Sequence, residues 1–115
     1  MTEAEIQARI LLAYGALPGV RLFRNTVGFG YQGDVVSESR GVVVLKNARP
    51  VTFGLCPGSS DIIGWNQGRF LAIEVKAKAG RASDKQNLFG EAVERDGGFF
   101  RISRSVDDLR SLFLK

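Results

Sequence analysis

The sequence predicts an α/β domain, with a central mixed β-sheet flanked by helices, as a single domain over residues 1–115. Three observations carry that expectation. Two capping boxes, Thr2-Glu3-Ala4-Glu5 and Ser83-Asp84-Lys85-Gln86, each open a stretch with apolar residues at helical spacing. Two apolar runs flank the turn signal Asn66-Gln67-Gly68, as the strands of a hairpin do. The order helix, strands, helix, strand, helix then matches helices packed around a sheet.

The first helix is expected over residues 3–15, with Thr2 as N-cap and Ile6, Ile10, Ala13 and Tyr14 as its apolar face. Glu3 lies on that apolar side, one turn before Ile6, and a first-turn acid there complements the helix dipole. Residues 20–25 form a short strand. Residues 28–41, rich in glycine and containing Phe29, Tyr31 and Arg40, have no clear periodicity. Residues 41–46 and 50–53 are further strand candidates, arranged as a hairpin turning at Asn47-Ala48-Arg49. The next two strands run over residues 60–65 and 69–77. Ser83 opens a second helix carrying Leu88, Phe89, Ala92 and Val93, and Gly97-Gly98 stops it. Residues 99–102 form the last strand, and Ser105 N-caps a final helix carrying Leu109, Leu112 and Phe113.

Composition narrows the chemistry. The 16 basic and 12 acidic residues give a net charge of +4, which suits a polyanionic partner. There is no histidine, so Ser-His and Cys-His nucleophiles and the commonest zinc ligand are excluded. A metal held by these side chains is then a hard, oxygen-liking ion such as Mg2+ or Mn2+. A lone cysteine, Cys56, forms no internal disulfide and fits a reducing compartment. No apolar stretch is long enough to span a membrane, and the acidic start Met1-Thr2-Glu3-Ala4-Glu5 is unlike a secretory signal.

The chemistry concentrates in residues 60–77. Phe70-Leu71-Ala72-Ile73-Glu74-Val75-Lys76-Ala77 is apolar enough to be a central strand covered on both faces, yet two charges interrupt it. Such charges are costly there unless they pair or bind an ion. If Gln67-Gly68 is a two-residue loop, Asp61 stands directly opposite Glu74, with Cβ atoms about 5 Å apart. A one-residue slip would turn Asp61 to the other face. In this register two carboxylates and the Lys76 ammonium converge. A divalent ion would relieve the carboxylate repulsion, activate a water and stabilise charge on a scissile phosphate, with Lys76 beside it. The competing reading is a structural ion pair of Lys76 with Asp61 or Glu74.

Pro57-Gly58-Ser59-Ser60-Asp61-Ile62-Ile63-Gly64, followed by Phe70-Leu71-Ala72-Ile73-Glu74-Val75-Lys76, resembles the core of the PD-(D/E)xK nucleases. More closely, the chain is similar to the virus-type replication-repair nuclease (VRR-NUC) domain family. The similarity takes in Thr2 to Gln7, Phe23-Arg24-Asn25-Thr26, Gly80 to Gln86, Gly97-Gly98-Phe99-Phe100 and Ser105 to Leu109. It implies a restriction-endonuclease-like core and Mg2+- or Mn2+-dependent cleavage of DNA. Asp61, Glu74 and the Val75 carbonyl would be metal ligands, Lys76 the catalytic lysine and Glu3 an acid near the metal. Gln86 matches a glutamine near the active site, although the capping box alone also explains it.

Arg24, Lys46, Arg49, Lys78, Arg81 and Lys85 are candidate phosphate contacts. Lys78, Arg81 and Lys85 follow the catalytic strand and surround the start of the second helix, whose free N–H groups suit an anion. The expected activity is cleavage of branched DNA, a four-way (Holliday) junction in particular, by a homodimer with one site per chain. The alternatives are a flap, end or duplex nuclease and a non-catalytic DNA-binding module. By resemblance the setting is the cytoplasm of a bacterium or phage-infected host.

Overall fold

A computed structural model describes residues 1–114. Helix α1 (Glu3–Tyr14) is followed by strands β1 (Val20–Arg24), β2 (Gly28–Ser39), β3 (Val42–Phe53), β4 (Ile62–Asn66) and β5 (Arg69–Val75). Helix α2 (Asp84–Arg95), strand β6 (Phe99–Ser103), a 3-10 turn (Asp107–Leu109) and the one-turn helix α3 (Arg110–Phe113) complete the order. Both capping boxes form: Thr2 and Ser83 each accept the backbone N–H three residues on, while Glu5 and Gln86 reach back to the cap N–H.

The four-stranded sheet has the order β1-β4-β5-β6, with β5 and β6 parallel and the other pairs antiparallel. It is the expected mixed sheet. Strand β5 sits inside it, and Leu71 to Val75 are all buried. Leu71, Ile73 and Val75 point to the α1 side, where they pack with Ile6, Ile10, Tyr14, Ile62 and Leu109. The α2 helix packs over the opposite side of β5 and β6, so Glu74, by strand alternation, faces α2. The β4–β5 turn is the two-residue loop expected: Gln67 and Gly68 both have positive φ, 53° and 82°, and Asn66 pairs with Arg69.

The segment between β1 and β4 differs from expectation. Residues 28–39 form a strand, and residues 42–53 are one continuous partner strand; the hairpin turning at 47–49 does not exist. The turn falls instead at Arg40-Gly41, with φ of 50° and 77°. Arginine rarely supplies the left-handed conformation that asparagine or glycine gives such turns, so the local signal was weak. Asn47, with φ 57°, lies in an irregularity where the register slips between Gln32 and Asp34, so a turn-like residue occupies a bulge. Periodicity in 28–39 is absent because no residue of this strand is buried on either face.

This hairpin is a separate two-stranded sheet packed mainly against itself. It lengthens the molecule to 52 Å against 31 and 28 Å, and raises the radius of gyration to 16.7 Å. A compact chain of this size would have about 13 Å. The C-terminal helix is also slighter than expected: Ser105 Oγ accepts the Asp108 N–H, but the turn it opens is 3-10 and only one α-turn follows.

Candidate active site

Strands β4 and β5 set the site. The β4–β5 register sums correctly through Ile62↔Ile73, and one step further places Asp61 opposite Glu74. Asp61 stands just before β4, where its carbonyl accepts the Asn25 N–H at 2.7 Å and so prolongs the β1–β4 ladder. Its carboxylate is fixed across the hairpin, Oδ2 accepting the Val75 N–H at 2.8 Å.

Glu74 is 1% exposed, and its Oε1 has no hydrogen-bond donor among the described residues. Lys76 Nζ lies 3.6 Å from Glu74 Oε2. Burial pushes the Glu74 carboxyl up from 4.5 to about 8; the Asp61 carboxylate, as proton acceptor and as charge, adds to this, and Lys76 opposes it. The ion-pair reading therefore accounts for one Glu74 oxygen and leaves the other buried and unpaired. A buried carboxylate oxygen without a donor, beside a second carboxylate, is a donor set that fits a hard divalent cation.

The other expected members are placed unevenly. Glu3 Oε2 accepts the Ala77 N–H at 3.2 Å, which sets it at the end of β5. Among the described residues, no three Asp, Glu, Cys or His side chains converge closely enough to form a metal cluster. Side chains alone thus bring together Asp61 and Glu74, with the Val75 backbone adjoining. Gln86 Oε1 is occupied by the Ser83 N–H at 2.8 Å, yet the residue lines a cleft of about 340 Å3 together with Gln7, Asn25, Ser59 and Asp61. Capping and a place at the site coexist. A larger cavity, about 610 Å3, lies between Arg69, Phe99 and Phe113 and contains none of these acids.

The basic residues fall into two groups. Arg24 donates to Gln7 Oε1 at 2.9 Å beside the cleft. Lys78, Arg81 and Lys85 are exposed on the loop after β5 and the first turn of α2. Gly58, with φ 87°, lets the segment before Asp61 lie against Lys85, where a Cβ would meet the Lys85 backbone at 2.9 Å. Lys46 and Arg49 instead sit on β3, away on the hairpin, where Arg49 donates to Gln32 Oε1 at 3.0 Å.

Two residues gain roles that local patterns did not disclose. Asn25 is buried; its Nδ2 donates to Ser59 Oγ and the Ser60 carbonyl, both at 2.8 Å, and its Oδ1 accepts the Leu55 N–H at 3.1 Å. It ties the loop before Asp61 to the end of β1. Arg104 donates to the carbonyls of Ala77 at 2.8 Å and Gly80 at 2.6 Å, bracing the loop that follows Lys76. No local pattern disclosed this role of Asn25, because its partners lie 30 to 35 residues away. Asn25→Ala, which strands buried donors and acceptors, is expected to cost about 2–3 kcal/mol. Urea unfolding measures this, and an unchanged midpoint would refute the tie.

The family model for the VRR-NUC domain matches residues 34–107. That span includes Asp61, Glu74, Val75, Lys76 and Gln86, and lies beyond Glu3 and Arg24. No curated protein matches the chain.

Proposed function

Since the chain belongs to the VRR-NUC domain family, nucleases of restriction-endonuclease-like fold acting on DNA, we propose that it is a divalent-metal-dependent endonuclease for branched DNA. The preferred substrate is a four-way junction, and the acting form is a homodimer. The observation that carries the catalytic part is the buried Glu74, opposite Asp61 across the β4–β5 hairpin, whose Oε1 has no donor among the described residues and whose Oε2 lies 3.6 Å from Lys76 Nζ.

Asp61, Glu74 and the Val75 carbonyl would hold Mg2+ or Mn2+, while Glu3, held at the Ala77 N–H, borders the end of β5. When bound, the ion supplies a Lewis acid for the phosphate and lowers the pKa of the attacking water. The Val75 N–H holds Asp61 in one orientation, so the carboxylate does not need to reorganise. Lys76, 15% exposed, presents its ammonium to the water or to the phosphate oxygen, where charge grows as the P–O bond breaks. Gln86 keeps its side-chain N–H groups for the cleft while its oxygen caps α2. Arg24, Lys78, Arg81 and Lys85 receive the phosphate backbone on either side, contacts that read shape instead of bases. Lys46 and Arg49 extend this track only if the DNA reaches the hairpin.

Two symmetric strands are cut most simply by two symmetric sites, which a two-fold dimer provides. The deciding experiment incubates labelled junction, flap and linear duplex DNA with Mg2+, Mn2+ or EDTA. Expected are metal-dependent cleavage and a preference of about tenfold or more for the junction, equivalent to ~1.4 kcal/mol in the transition state. Cleavage that persists in EDTA would sink the metal reading. Equal rates on all three DNAs would leave a general nuclease.

No helix among the described residues is long and apolar enough to cross a membrane.

A further inference from the structure

The hairpin of β2 and β3 carries surface built for burial. Val42-Val43-Val44-Leu45 is a continuous apolar run, a pattern that belongs to strands covered on both faces. Yet Val35, Val42, Val43 and Val44 are 47–62% exposed, and Phe29 and Tyr31 are 60% and 65% exposed. Among the described residues neither outer edge of the ribbon has a main-chain partner, and an isolated two-stranded ribbon is at best marginally stable in water. Something else must complete it.

We infer that the hairpin is the surface through which two copies of this chain associate. The inference rests on the homodimer reading above and names its interface. Three features select a second copy. Summed over both faces, the ribbon's exposed apolar side chains, among them Phe29, Tyr31, Val35 and Val42 to Val44, offer roughly 800 Å2, on the order of what each partner contributes to a standard stable interface. Its charges are mixed in sign, Asp34 and Glu38 with Arg40, Lys46 and Arg49, which suits a like surface and not a phosphate backbone. Its free edges and apolar faces are of the kind a two-fold axis satisfies reciprocally, each ribbon covering the other.

Sedimentation equilibrium of the full chain tests this. The wild type is expected to be a dimer, and Val43→Asp combined with Val44→Asp is expected to weaken dimerisation at least ~30-fold with unchanged far-UV circular dichroism. A double variant of undiminished dimer affinity overturns the hairpin interface while the dimer reading stands; if that variant also loses DNA binding, the hairpin serves DNA. A monomeric wild type overturns both. Should the double variant fail to fold, a cross-linking experiment decides in the Cys56→Ser background. A short bismaleimide is expected to join copies through Val43→Cys but not through Leu12→Cys, at an α1 position 87% exposed. Equal cross-linking at the two positions, or none at Val43→Cys, overturns the interface.

Discussion

Asp61→Ala is expected to lower junction cleavage by about 10^3-fold or more, some 4 kcal/mol of transition-state stabilisation, without loss of folded protein. The reasoning follows from how Asp61 is held. Its backbone carbonyl, not its side chain, completes the β1–β4 ladder by accepting from Asn25, so alanine preserves the sheet. The carboxylate accepts the Val75 N–H and, beside Glu74, opposes its ionisation. Its removal therefore costs the fold little and relieves a repulsion. Single-turnover cleavage alongside thermal unfolding checks both halves. An Asp61→Ala protein that cuts within tenfold of wild type would remove the acid from the chemistry.

Glu74→Gln is expected to inactivate the enzyme to a similar degree while stabilising the metal-free protein, by roughly 5–10 °C in Tm at pH 8. The Glu74 carboxyl titrates near 4.5 when unfolded and about 8 when folded. Between those values the folded state keeps a proton that the unfolded state has released. Its contribution to stability is thus fully present below about pH 4.5 and is lost as the pH rises to about 8. Glutamine stays neutral, so this slope should vanish in the variant. A divalent ion competes with the same proton, and added Mg2+ should raise the wild-type Tm more at pH 8.5 than at pH 6. Thermal melts at several pH values, with and without Mg2+, measure all three effects. If Glu74→Gln retains the wild-type pH slope, the buried carboxyl is not its source.

The site strands were legible because one arithmetic relation governed them. Gln67-Gly68 formed the two-residue turn its composition favours, and the alternation of β5 then fixed which side of the sheet Glu74 occupies. The helices were equally readable, since both capping boxes are local devices whose partners lie three residues apart. The hairpin of β2 and β3 was not. Period-two alternation records a difference between a wet and a dry face, and this ribbon has no buried residue to produce one. Asn47 added a false turn signal from within a bulge, while Arg40 concealed the true one. At the site itself, sequence pattern named the charged groups but not their supports. Asn25 and Arg104 act through backbone carbonyls and hydroxyls tens of residues away, and no spacing rule connects such partners.

The bracing of the Lys76 loop also ties its placement to the last parts of the chain to be made. Lys76 N–H donates to the Ser103 carbonyl at 3.0 Å, and Arg104 gathers the carbonyls of Ala77 and Gly80 from the far side of the parallel β5–β6 pair. Glu3, at the opposite end of the sequence, closes on the same loop through Ala77. A ribosome-bound fragment that has released the whole β4–β5 hairpin has all three charged residues of the site but not the strand that holds the loop. The loop after Lys76 is therefore held in place only once both ends of the sequence, Glu3 and the segment through Arg104, have joined the fold.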